Sequence, residues 1–190
     1  MASKGQFVEG TDGNDYLHRQ TVATHYQISA LNKTRLKFCL VMHFLMFTLM
    51  MSKLMDDILD RFDIFVLQLQ ELYIPKPRLW EWIWSASVVF ILIARKAIRK
   101  NNRTSMKFYV VATTLLALLP VLYSLGYYFN DVWEFIDSRD VTKVTEVWQG
   151  YPVGVLWYFF LLVSLQIHIF ELYFAIKLIR AWSLKRSKKE

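Results

Sequence analysis

Four apolar runs, each close to the length of a bilayer crossing, constrain this chain of 190 residues more than any other feature. A hydrocarbon core ~30 Å thick takes ~20 apolar helical residues to cross. Residues 36–55 (LKFCLVMHFLMFTLMMSKLM), 79–94 (LWEWIWSASVVFILIA), 108–129 (FYVVATTLLALLPVLYSLGYYF) and 153–176 fit that length to within about a turn, and the second carries Glu81 near its start. The predicted fold is all-α, an integral membrane bundle of four transmembrane helices. The first 35 residues are polar and contain no apolar core of a cleavable signal, so the first run is expected to act as the anchor.

Lysine and arginine favour the cytosolic side of a membrane protein, and their distribution orients the bundle. Seventeen fall in the N-terminal segment with the start of the first run, in the 95–107 loop and in the C-terminal segment; six fall on the other side. This predicts a cytosolic tail over 1–35, a membrane domain over 36–178 and a basic cytosolic tail over 179–190. Within the membrane domain, 56–78 and 130–152 are expected to be lumenal and 95–107 cytosolic. The net charge of +7 and pI near 9.5 therefore reflect cations at span ends, facing the lipid bilayer, where each contributes ~1 kcal/mol toward anionic lipid. No nucleic-acid-binding motif accompanies them, so no nucleic-acid partner is expected. Cys39 is alone, which excludes an intrachain disulfide, and reads as a buried apolar thiol. The sequons at Asn32 and Asn102 lie in cytosolic segments and are expected to stay unglycosylated.

The two lumenal segments differ. In DDILDRFDIFVLQLQELYIPKP, the apolar Ile58, Leu59, Phe62, Phe65, Val66, Leu69, Leu72 and Tyr73 recur at helical spacing, which predicts an amphipathic helix between spans one and two, ended by Pro75 and Pro77. Met51, Met55, Ile58, Phe62, Phe65, Leu69 and Leu72 also follow coiled-coil spacing, although a helix on the lumenal leaflet or against the bundle is favoured over a dimerisation helix. The 130–152 segment is acidic, and Trp133, Trp148 and Tyr151 suit an interfacial aromatic belt.

Chemistry-bearing residues inside the spans are few. His168 and Glu171, three apart, share a helical face, whereas Gln166 points about 160° away from His168. An acid at bilayer depth costs about 2.5–3.5 kcal/mol on insertion scales, so it turns inward toward a partner. His43, Glu81 and Lys177 are available for that role. A proton- or ion-coupled transporter using His168 and Glu171 would want such groups recurring along several spans, and the third run offers only hydroxyls. Interhelical packing at His43, Gln166, His168 and Glu171 is the preferred reading. No nucleophile–base–orienter group, glycine-rich phosphate loop or metal-ligand cluster occurs, so no enzyme activity, cofactor or metal is expected. His18 and His25 are seven apart, and two ligands do not make a zinc site.

The segment GTDGNDYLHRQTVATHYQISALNK at 10–33 resembles the opening of the Jagunal family of small endoplasmic-reticulum membrane proteins, near its insect branch. RKNN at 99–102 is similar to that family's basic loop, and WQGYPVGVLWYFF with LQIHIFELYFAIKLIRAW is similar to its last span. The resemblance implies a four-span resident of the reticulum membrane, both termini cytosolic, without catalytic activity. It further implies a part in reticulum organisation and in vesicle-mediated transport through the early secretory pathway. The end KRSKKE resembles a dilysine retrieval signal read by coatomer: Lys188 stands third from the end, followed by Lys189, while Ser187 takes the fourth position and Arg186 the fifth. In the tail, Asp12, Asn14 and Asp15 are suited to cap a helix with a partial apolar stripe of Tyr16, Ala23, Tyr26 and Ala30. Asp12, Asp15, His18, His25 and Tyr26 then form a candidate surface for cargo or trafficking proteins. An oligomeric scaffold built on the lumenal helix is the remaining alternative.

Overall fold

A computed structural model describes residues 14–184 and is helical almost throughout. The helices are α1 (Asn14–Arg61), α2 (Leu67–Gln70), α3 (Leu79–Ala86), α4 (Val89–Lys100), α5 (Arg103–Thr113), α6 (Leu119–Ser138) and α7 (Val153–Leu184), with a π-helical turn at Thr114–Leu118 joining α5 to α6. A two-residue hairpin, β1 (Val147–Trp148) with β2 (Tyr151–Pro152), precedes α7. Its turn places Gln149 and Gly150 at positive φ, a conformation that glycine adopts without steric cost.

Four helical passes alternate in direction. Along α1, Ser29, Arg35, His43 and Lys53 meet Trp182, Phe174, Glu171 and Trp157 of α7 in reverse order, so the two helices are antiparallel. The α3–α4 pass also descends against α1, from the Lys53–Glu81 contact to the packing of Leu36 and Leu40 on Ala97 and Ile98. The α5–α6 pass rises again. Two cores result: Leu36, Ala94, Ile98, Met106, Tyr109 and Leu178 at one end, and Met50, Leu54, Trp84, Val121, Tyr128 and Leu161 toward the other. Outside them lies a broad apolar exterior, including Phe38, Leu49, Leu92, Val111, Leu122 and Phe159.

Among the described residues, three helices are long and apolar enough to cross a membrane: Tyr26–Arg61, Arg103–Ser138 and Val153–Ser183. The second predicted span is instead two helices, because Ser87 and Val88 form a tight turn in which their amides bond to Trp84 and Ser85, three residues back. The amphipathic helix expected between spans one and two does not form as one element. Residues 56–61 continue α1, which ends where Asp63 adopts a left-handed conformation and the amides of Asp63 and Ile64 bond to the carbonyls of Asp60 and Leu59. That double closure is a Schellman cap, and it turns the chain before Phe65 can extend the coiled-coil seam. Of the remainder, only Leu67–Gln70 is helical, and Phe62 and Phe65 are exposed.

Candidate functional site

At mid-bundle, three passes converge on polar side chains. His43 comes from α1, Trp84 and Ser87 from the α3–α4 pass, and His168 and Glu171 from one face of α7, all but fully buried. The Trp84 indole N–H donates to His168 Nε2 at 3.0 Å, and His168 Nδ1 lies 3.0 Å from Glu171 Oε2. His43 Nδ1 lies 3.2 Å from the other carboxylate oxygen, and His43 Nε2 lies 3.0 Å from Ser87 Oγ. An indole nitrogen only donates, so His168 Nε2 accepts, the ring is neutral, and its proton sits on Nδ1 facing the carboxylate. His43 differs, because both of its neighbours can accept.

The rings of His43 and His168 also meet edge-on, with centroids 4.6 Å apart, and the ligand-type atoms of His43, His168 and Glu171 lie within 4.8 Å of one another. That spacing would suit a metal ion, but the proton pattern does not. A neutral imidazole ligating through Nδ1 must carry its proton on Nε2, where Trp84 already donates. The cluster therefore fits a closed hydrogen-bond network in which each ring nitrogen and each carboxylate oxygen is answered inside the protein.

The other anticipated residues fall elsewhere. Gln166 is exposed on the opposite side of α7. Glu81 is buried near the end of the bundle beside α2, where Lys53 Nζ donates to it at 2.6 Å and the Arg78 amide at 3.1 Å. Lys177 stacks over Tyr173 at 4.3 Å. Asp15, His18 and His25 lie on the first turns of α1, and Tyr26 is exposed. Asp12, Arg186, Lys188 and Lys189 lie outside the described residues. Sequence reasoning missed Trp84 and Ser87, because a tryptophan and a serine in an apolar run read as bulk and as a neutral filler. The available signal was the indole N–H, which needs an acceptor when buried.

Charge is segregated along the bundle. The end built from the middle of α1, the α4–α5 turn and the last turns of α7 carries Lys33, Arg35, Lys37, Arg95, Lys96, Arg99, Lys100, Arg103, Lys107, Lys177 and Arg180. No acid occurs in α1 between Arg19 and Met55, none between Glu81 and Asp131, and none in α7 after Glu171. At the opposite end, acids and bases mix and pair, as in Arg61 with Asp57 and Arg78 with Glu146.

A family model described as "Jagunal, ER re-organisation during oogenesis" matches residues 1–186. Protein jagunal of Drosophila melanogaster is 47% identical over 195 residues, covering 100% of this chain and 99% of that protein. The jagunal homolog of Caenorhabditis elegans is 32% identical over 185 residues (96% and 97% covered), and human jagunal homolog 1 is 25% identical over 191 residues (100% and 99%).

Proposed function

We propose, from the premise that this chain belongs to the Jagunal family, that it is a non-enzymatic, four-span protein of the endoplasmic-reticulum membrane that supports reticulum organisation and vesicle-mediated transport in the early secretory pathway. The observation that carries this reading is the charge segregation along an apolar-surfaced bundle. A cation-only end facing the cytosol puts both termini and the 95–107 loop on that side. The α3–α4 pass then serves as the fourth span: its break at Ser87 is sheltered inside protein, where Ser87 meets His43, and irregular backbone at membrane depth is tolerated in such a place.

The buried polar cluster supports a structural role. It ties α1, α3–α4 and α7 together through side-chain hydrogen bonds between helices far apart in the chain. The test is depletion of the protein from secretory cells, followed by imaging of the reticulum and timing of a secreted reporter. A rearranged reticulum with delayed secretion, both restored by the full chain, is expected. A normal network and normal secretion after complete depletion would overturn the reading. Topology is read in the same cells: a sequon placed within 141–146 should gain a glycan, and Asn32 and Asn102 should not.

A further inference from the structure

We propose that the α4–α5 turn is a headgroup-binding surface for anionic phospholipid. The proposal deepens the topology above, because it places this turn in the headgroup layer of the cytosolic leaflet. Arg95, Lys96, Arg99, Lys100, Arg103 and Lys107 are all exposed, and among the described residues none has an ion pair or an aromatic ring beneath it. Some cations elsewhere have partners: Lys53 has Glu81, Arg61 has Asp57, Arg78 has Glu146, and Arg35 lies over Phe174; what sets the turn apart is that six cations share one short hairpin.

The turn is rigid. Asn101 is left-handed, the Asn102 amide closes back onto the Ala97 carbonyl at 3.0 Å, and the Asn102 side chain accepts from the amides of Thr104 and Ser105. Those amides are thus occupied, and recognition falls to the side-chain charges. Arg99 and Lys100 suit the C-terminal end of α4, whose dipole favours cations. Arg103 opposes the dipole at the start of α5, where the first turn has no acid, and Lys107 follows one turn later as a like charge at i, i+4. The fold therefore holds like charges against one another and against a helix end, an arrangement that an external anion relieves. Leu92, Phe108 and Val111 lie exposed within about two turns of the same hairpin, so the cationic tip continues into an apolar wall. An anionic headgroup carrying acyl chains matches both parts, and inorganic phosphate matches only the first.

The test uses full-length protein purified in detergent and equilibrated with mixed phosphatidylserine and phosphatidylcholine micelles, with bound lipid counted by native mass spectrometry. The parent chain should retain phosphatidylserine preferentially. Arg99→Gln/Lys100→Gln/Arg103→Gln/Lys107→Gln should lose that preference by on the order of a hundredfold or more, since about fivefold per cation compounds over four cations. Arg103→Gln alone gives a graded loss and covers the case in which the multiple variant fails to fold. Lys76→Gln/Arg139→Gln/Lys143→Gln, at the opposite end, and the charge-keeping Arg99→Lys/Arg103→Lys should both behave as the parent. Retention unchanged in the neutralised variants, an equal loss in the opposite-end variant, or full displacement by inorganic phosphate would each overturn the proposal. Micelles have no sidedness, so a lumenal location of this turn in cells would sink the topology without altering this result.

Discussion

The indole N–H of Trp84 leaves His168 one way to share its protons, and that constraint passes through His168 to Glu171 and on to His43. Trp84→Phe keeps an aromatic ring against Phe160 but strands His168 Nε2 without a donor. Single hydrogen bonds between membrane helices average about 0.6 kcal/mol and reach about 1.7, so a modest loss of that size is expected. Glu171→Leu removes the partner of both His43 Nδ1 and His168 Nδ1 at once, and each buried polar group left unsatisfied costs about 1–3 kcal/mol. Glu171→Gln keeps an acceptor and should fall between the two. Thermal unfolding in detergent measures all three, and a Glu171→Leu variant as stable as the parent would remove the network from the list of what holds the bundle. The i, i+3 spacing made the His168–Glu171 face legible in the sequence, and cost at bilayer depth pointed to a partner. Which of three available partners answered was not legible, since that depends on how helices far apart in the chain come into register.

At the level of elements, lengths were easier to read than interruptions. The runs at 36–55, 108–129 and 153–176 fall inside α1, α5–α6 and α7, because apolar composition marks what lipid accepts. The cap at Asp63 was hidden, since an aspartate adopting a left-handed conformation leaves no periodic trace in an otherwise helical pattern. The π turn at Thr114–Leu118 has a clearer cause. Pro120 has no N–H to offer the Leu116 carbonyl, and the widened turn before it accommodates that loss. The same turn holds a buried stripe in phase: Tyr109, Thr113, Ala117, Val121, Ser124, Tyr128 and Val132 use roughly one residue more than six regular α-turns would hold. Removing Leu115, an exposed residue of the widened turn, should therefore be absorbed by reversion to regular α-helix. Removing Leu122 instead should rotate Ser124, Tyr128 and Val132 by about 100° against the rest of the stripe, and removing Val110 should rotate Tyr109 and the turns before it; both should destabilise the bundle. Detergent-solubilised yield and size-exclusion profile separate the outcomes: three equally impaired deletions would mean that the turn does not act as a phase adjuster.

For the whole molecule, α7 is fixed to α1 at its last described turns. The Trp182 indole N–H donates to Ser29 Oγ on α1 at 3.3 Å, which ties the last described turns of α7 to the long first helix at the cation-only end. Six residues follow Leu184, the last of α7, a length that spans at most ~20 Å when extended. The proposed retrieval signal, Arg186, Lys188 and Lys189, would offer its charges to an acidic groove of coatomer through charge-assisted hydrogen bonds. Lys188→Ser/Lys189→Ser should then move the protein, tagged at its N-terminus so that the C-terminus stays free, from the reticulum to the Golgi. The same substitutions leave the bundle and the α4–α5 turn untouched, so stability in detergent and retention of anionic lipid should match the parent. A protein that stays reticular after both lysines are replaced would shift the localising determinant from the tail to the membrane domain. Exchange of the 179–190 segment for a neutral sequence then distinguishes a tail signal that tolerates Arg186 alone, which this exchange abolishes, from retention by the spans, which it leaves intact.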